Sequence, residues 1–494
     1  MKTALMVWGT SSGAGKSLLA TALCRWAARQ GMDVAPFKAQ NMSNNARVVP
    51  LAGGGMGEIG SAQYFQALAA RVTPSVDMNP VLLKPERDTA SQVVLQGHVD
   101  DRLSRLPWRE RSAFLAESAR ASFERLAAAH DLVVIEGAGS PAEINLAPQD
   151  YVNLGTARWA QALGRLQALL VTDIDRGGAF AHLHGTWTLL PHDLRPALAG
   201  YVLNKFRGDA ALLAPGPQLL HQMTGVPVLG VLPMRRDHGL PEEDGIHGAA
   251  QAAAANSGPR IAVLAWPHIS NLDEFQPLAN AGSLCWARSA ADLEGADWII
   301  LPGSKQVSGD LAWLRAQGLA APITRHVALG KRLLGICGGL QVLGQVLDDP
   351  DGVDGEPHGP RPGLGLLPLA TRYAAPKRLA LSQLRFAALA PPWDALSGLA
   401  LPAYEIHCGT TLPLPDAAVA EAAADAAGTA IGWQAGSVLG VYAHGLFESA
   451  AVMHALFGTR VRTLDDVLDG LADLVDEHIG TATLRALTTG TLSR

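Results

Sequence analysis

Near the start of the chain stands Gly9-Thr10-Ser11-Ser12-Gly13-Ala14-Gly15-Lys16-Ser17. The apolar run Ala4-Leu5-Met6-Val7-Trp8 precedes it, and a helical pattern with Leu18, Leu19, Ala22, Leu23, Trp26 and Ala27 on one side follows. Strand, glycine-rich turn, Lys-Ser and helix make the setting of a phosphate-binding loop. Glycines such as Gly13 and Gly15 let several backbone N–H groups point at one phosphate, and the helix N-terminus adds partial positive charge. Lys16 is then expected to reach the terminal phosphates, and the Ser17 hydroxyl to face Mg²⁺. The usual motif has four residues between its first Gly and the Gly-Lys pair, whereas five separate Gly9 from Gly15-Lys16 here. A ligand-free glycine turn is the plain alternative, and the flanking strand and helix argue against it.

Outward from the loop, apolar runs alternate with helical stretches to about residue 240. Leu132-Val133-Val134-Ile135 ends at Glu136, Ala168-Leu169-Leu170-Val171-Thr172 at Asp173, and Gly200-Tyr201-Val202-Leu203 at Asn204-Lys205. Apolar strands alternating with helices predict a parallel sheet covered on both faces, with ligands outside the C-terminal strand ends. Glu136 falls where a nucleotide enzyme places a carboxylate for Mg²⁺, so Ser17 and Glu136 are the expected metal ligands. Asn204-Lys205 looks like half of a guanine-reading motif, but Arg207 stands where that motif needs an acid. The loop is therefore expected to hold ATP, with Asn204 available to an adenine edge.

Residues 247–259, rich in alanine, read as a linker. A second α/β pattern begins at Arg260-Ile261-Ala262-Val263-Leu264. The chain thus divides into an expected nucleotide domain, 1–246, and a second domain, 260–494, both doubly wound α/β. Within the second, Gly335-Ile336-Cys337-Gly338-Gly339 has the form of a nucleophile elbow carrying Cys. Such a strand-to-helix turn needs small neighbours, exposes the sulfur and aims a helix N-terminus at it. The Gly338 N–H and one from Pro302-Gly303-Ser304, taken as Gly303, are placed to hold an oxyanion. His444 is the expected base and His407 its rival. Cys24, Cys285 and Cys408 lack the glycine elbow and read as structural.

Composition limits the alternatives. The 494 residues are 48% hydrophobic with net charge −6, which gives no electrostatic case for nucleic acid or an anionic membrane. The four cysteines are widely spaced, with no zinc or disulfide pattern, and no apolar run has membrane-spanning length. A cytoplasmic protein is expected.

Several longer segments resemble the cobyric acid synthase family, the glutamine-dependent amidases of cobalamin biosynthesis. They include Ala35-Pro36-Phe37-Lys38-Ala39-Gln40-Asn41-Met42, Ser75 to Pro85, Glu136 to Leu146, Asp173 to Gly178, Asn204 to Asp209, Leu301 to Lys305 and Tyr404 to His407, besides the opening loop. The resemblance implies a first domain like dethiobiotin synthetase, which suits the longer loop spacing, and a second like class I glutamine amidotransferases. It further implies amidation of four carboxylates of the corrinoid adenosylcobyrinic acid a,c-diamide, with glutamine as nitrogen donor and ATP cleaved to ADP and phosphate. Cys337 carries over as nucleophile and His444 as base. The related a,c-diamide synthases are the nearest alternative; a surface-switching partition ATPase would have no use for Cys337 and His444. One departure stands out. Many class I amidotransferases place an acid two residues after the catalytic His, and here that residue is Leu446. Either a Cys–His dyad suffices or another group orients His444; Glu448, the first acid downstream, is not assigned.

Overall fold

The computed structural model describes residues 2–87, 90–235, 239–240, 258–355, 357–458 and 462–492. The chain forms two units, and neither is continuous in sequence. The first comprises residues 1–43, 49–240 and 464–494; the second comprises 44–48 and 241–463.

The first unit is built on strands β1 (Thr3–Gly9), β2 (Val34–Phe37), β3 (Leu132–Glu136), β4 (Arg165–Asp173), β5 (Leu198–Phe206) and β6 (Val228–Pro233). They lie side by side in the order β6-β5-β4-β1-β3-β2, every pair parallel. Their near-continuous apolar sequences follow from burial on both faces. One face packs Met6, Trp8, Phe37, Ile135 and Leu170. The other packs Leu5, Val7, Val134 and Val171 under helix α1 (Lys16–Arg29).

The second unit holds a nine-stranded sheet. Strands β7 (Arg260–Leu264), β8 (Ser283–Ala287), β9 (Trp298–Leu301) and β10 (Arg332–Ile336) are parallel. They continue through β11 (Arg378–Phe386), β12 (Ala400–His407), β13 (Ala420–Ala424), β14 (Ala430–Ala435) and β15 (Val438–Val441) in the spatial order β8-β7-β9-β10-β15-β14-β13-β11-β12. β10 and β15 pair in parallel, and the strands beyond are antiparallel. Helix α2 (Gly338–Leu343) follows β10 directly.

Two sequence boundaries need correction. The expected range 260–494 for the second domain includes helices α3 (Leu464–Ile479) and α4 (Thr481–Thr488), which belong to the first unit. Leu468, Leu471, Val475, Ile479, Leu484 and Leu487 bury against Leu5, Val7 and Leu23. Arg25 of α1 reaches Asp469 at 2.8 Å and Asp465 at 2.9 Å, and Trp26 Nε1 donates to Asp476 at 2.8 Å. The expected range 1–246 likewise includes Asn44–Val48, which belongs to the second unit. An amphipathic pattern specifies that a helix has a face to bury, not which surface will cover it. The expected linker 247–259 lies outside the described residues apart from Gly258 and Pro259.

Candidate active site

The loop after β1 has Gly13 and Gly15 at φ 70° and 106°, the left-handed region that favours glycine. At Gly15 a side chain would also strike Asn204, whose Nδ2 lies 1.9 Å from an ideal Cβ position. Asn204 Nδ2 donates to the Ala14 carbonyl at 3.0 Å, so this residue braces the loop from the end of β5. Lys205 beside it donates to the Gly13 carbonyl at 2.8 Å and pairs with Asp173 at 3.0 Å. Lys16 lies over the loop, donating to Ser11 O at 2.9 Å and Gly139 O at 3.2 Å.

Ser17 and Glu136 come together: the hydroxyl donates to Glu136 Oε1 at 2.8 Å. Two groups not singled out from sequence share this carboxylate. Lys38 Nζ donates to Oε1 at 2.9 Å and Gln66 Nε2 to Oε2 at 2.5 Å. Burial would raise the Glu136 pKa, but the Lys38 ammonium and the hydrogen bonds from Lys38, Ser17 and Gln66 outweigh it and hold the group ionised. The strand ending in Lys38 was a visible signal; Gln66 carried none.

In the second unit the chain turns sharply between β10 and α2. Cys337 sits at φ 53°, ψ −108°, a strained conformation for a side-chain-bearing residue. Its N–H is held by Val441 O at 2.8 Å, and its thiol donates to Ile406 O at 3.4 Å. Only glycine can follow it, because a Cβ at Gly338 would stand 2.8 Å from the Ser304 nitrogen. Gly303 is equally close to His444, with an ideal Cβ 3.0 Å from its Cε1. The sequence elements Gly303, Cys337, Gly338 and His444 therefore meet in one place.

His444 is buried, and the Cys337 sulfur is within hydrogen-bonding reach of its ring. Its Nδ1 faces Glu274 Oε1 at 2.8 Å, and the other oxygen of Glu274 accepts the Gly445 N–H at 3.0 Å. Glu274 itself is fully buried. Burial alone would lower the His444 pKa. The Glu274 charge, the neighbouring Cys337 and the hydrogen bonds to both overcome this and lift it to about 10. Glu274 lies on the turn Leu272–Phe275, 170 residues before His444, and sequence reading missed it. No motif linked it to His444; the absent acid at Leu446 was the only hint that a substitute was needed. Glu448 turns elsewhere, pairing with Arg47 at 2.6 Å. His407, the rival base, pairs with Glu405 at 3.1 Å and stacks on Tyr442. Cys24 is buried in the helical face of the first unit, where burial pushes its thiol pKa far up.

Comparison with known proteins accords with this geometry. Residues 5–245 match the CobQ/CobB/MinD/ParA nucleotide binding domain, and residues 260–452 the CobB/CobQ-like glutamine amidotransferase domain. The cobyric acid synthases of Methylibium petroleiphilum and Leptothrix cholodnii are each 60% identical, over 98% of this chain and 96% of their own lengths. The chain belongs to the cobyric acid synthase family. That of Paracidovorax citrulli is 59% identical over 96% of both chains. The protein is accordingly a glutamine-dependent ligase with a nucleotide-binding unit. Among the described residues no helix is long and apolar enough to cross a membrane.

Proposed function

We propose that this enzyme converts adenosylcobyrinic acid a,c-diamide to adenosylcobyric acid in the cytoplasm by amidating its b, d, e and g carboxylates. The observation that carries this reading is the joining, in one chain, of a phosphate loop backed by Ser17 and Glu136 with a Cys337–His444 pair. A carboxylate is a poor acyl donor because its leaving group would be oxide. In the first unit the corrin carboxylate attacks the γ-phosphorus of ATP; ADP leaves and an acyl phosphate forms. Lys16 neutralises charge on the transferring group, and Asn204, while bracing the loop, keeps its carbonyl oxygen for the adenine amino group. Ser17 and Glu136 present two hard oxygens side by side, a donor set that suits Mg²⁺; they would hold the ion, and it would supply charge neutralisation there.

In the second unit Cys337 passes its thiol proton to His444 and attacks the side-chain amide carbon of glutamine as the thiolate. The N–H groups of Gly303 and Gly338 hold the oxyanion, and His444 gives its proton to the leaving ammonia. Water then releases glutamate from the thioester, with His444 taking the proton back. Glu274 keeps the imidazole in the correct tautomer and favours its charged form. Ammonia attacks the acyl phosphate carbonyl and inorganic phosphate departs, leaving the amide.

Incubation with the a,c-diamide, ATP, Mg²⁺ and glutamine, followed by product mass, tests the reading. Four successive amide additions support it. Amidation of cobyrinic acid at two positions, with the a,c-diamide left unchanged, would make the protein an a,c-diamide synthase instead.

A further inference from the structure

Between Ser43 and Val49 the chain leaves the first unit and lends Asn44–Val48 to the second. Three successive residues of this loan grip a single turn. Asn45 Oδ1 accepts the Leu272 N–H at 3.1 Å. The Ala46 carbonyl accepts from Asn271 Nδ2 at 2.7 Å. The buried Arg47 guanidinium pairs with Asp273, and the next residue of the turn is Glu274. Asn271 is in the left-handed region, at φ 54°, so the turn is held in a conformation that asparagine tolerates better than most residues.

The same segment also holds the other face of the histidine. Arg47 lies over the Tyr404 ring at 4.8 Å, and Asn271 Nδ2 donates to the Tyr404 hydroxyl at 2.8 Å. Tyr404 stacks on His444, with ring centroids 5.2 Å apart and planes 19° from parallel, and the two residues exchange backbone hydrogen bonds. Glu274 and Tyr404 fix the imidazole, and residues 45–47 fix both. Nine residues upstream of Arg47, Lys38 bonds the Glu136 carboxylate that also takes the Ser17 hydroxyl.

We propose that Arg47 is a positioning residue for His444, acting through Glu274 and Tyr404, and that the chain from Lys38 to Arg47 adjusts it according to what the phosphate loop holds. This rests on reading Cys337 and His444 as the glutaminase pair. The guanidinium Nη2 pairs with both Asp273 and Glu448 while Cζ lies over the Tyr404 ring at 4.8 Å, a combination of ion pairing and ring stacking that the ammonium of lysine does not reproduce. Phosphates arriving at Lys16 and Ser17 alter the surroundings of Glu136, and hence of its Lys38 partner. The covalent chain carries that change to the turn bearing Glu274. A small displacement of an imidazole is enough to slow proton transfer strongly. Ammonia release is thereby tied to the presence of an acid being activated.

The experiment uses the full-length enzyme, Arg47→Lys and Arg47→Ala. Glutamate release is measured with and without ATP, Mg²⁺ and the a,c-diamide, alongside ammonia-driven synthesis. Wild-type glutaminase kcat is expected to rise about tenfold or more when the ligands are added, a typical coupling magnitude. Arg47→Lys is expected to bring that ratio close to one, with the glutamine KM within about threefold, because the effect is on chemistry rather than uniform binding. Ammonia-driven synthesis reports that the variant has folded. Should either Arg47 variant lose it too, Asn45→Ala, which removes the acceptor for the Leu272 N–H, is expected to flatten the ratio in the same way. A wild-type ratio near one, or a ratio undiminished in the folded variants, overturns the proposal. A wild-type enzyme that releases no glutamate under any condition overturns the glutaminase reading itself.

Discussion

Replacing Glu274 by Gln removes a charge while leaving a carbonyl that can still accept from His444 Nδ1–H. The two groups are 2.8 Å apart at their nearest atoms, and both are buried. For charge centres about 4 Å apart and an effective dielectric of about 20, the attraction is on the order of 4 kcal/mol. That corresponds to roughly three pKa units. Removing it lets the burial penalty act, so the imidazolium, which persists to about 10 in the wild type, would lose its proton near neutrality. In the proposed mechanism the protonated ring is the form that delivers a proton to departing ammonia. The wild-type glutaminase rate is therefore expected to hold through mildly alkaline pH and fall as pH passes about 10. In Glu274→Gln that fall moves into the neutral range, and kcat drops by about 10²- to 10³-fold, somewhat less than the full attraction expressed in the transition state. The Gly445 N–H also loses its acceptor to an amide NH₂, which adds to the loss. The assay is glutamate release across the pH range, with ammonia-driven amidation as the control for an intact nucleotide unit. A variant within about threefold of wild type in kcat, with its alkaline limb unmoved, would refute the positioning role of this carboxylate.

Three further outcomes are expected. Cys337→Ala should lose glutamine-driven amidation and keep ammonia-driven amidation, measured by product mass; failure with ammonia as well would contradict the division of labour between the units. Lys16→Ala should abolish synthesis from either nitrogen source, and near-normal ADP release would contradict its phosphate role. Leu471→Ala, in α3 against the core of the nucleotide unit, should cost about 2–5 kcal/mol of that unit's stability by thermal or denaturant unfolding, the usual loss for a buried leucine. Retention of full stability would mean that α3 is not the cover of that core.

Local sequence carried the chemistry that local structure builds. The Gly-rich run before Lys16-Ser17 and the glycines around Cys337 are needed by turns formed within a few residues, so spacing alone exposed them. Glu136 and His444 stood at strand ends, where topology brings polar groups to a common edge. Glu274 had no such signature. It reaches His444 only because β7 and the loop after β15 converge in three dimensions, and its neighbours Asn271 and Asp273 are held by residues more than two hundred positions earlier. Helix α3 shows the same limit from another side. Leu468, Leu471 and Val475 mark a buried face, but a repeat of apolar residues does not say that its cover is α1 at the opposite end of the chain.

The discontinuous first unit bears on the order in which the protein can mature. Synthesis proceeds from the N-terminus, so the nucleotide sheet and α1 emerge early, and the side of α1 that bears Arg25 and Trp26 must wait for α3. About 220 residues of the second unit are translated in the interval. At about 5–20 residues per second the wait is on the order of ten to forty-five seconds. Through that interval α1 lacks the cover that Leu468, Leu471 and Val475 of α3 later provide. A chain aborted before residue 464 never gains it. The nucleotide-binding unit is thus completed only in molecules whose glutamine amidotransferase domain has already been translated.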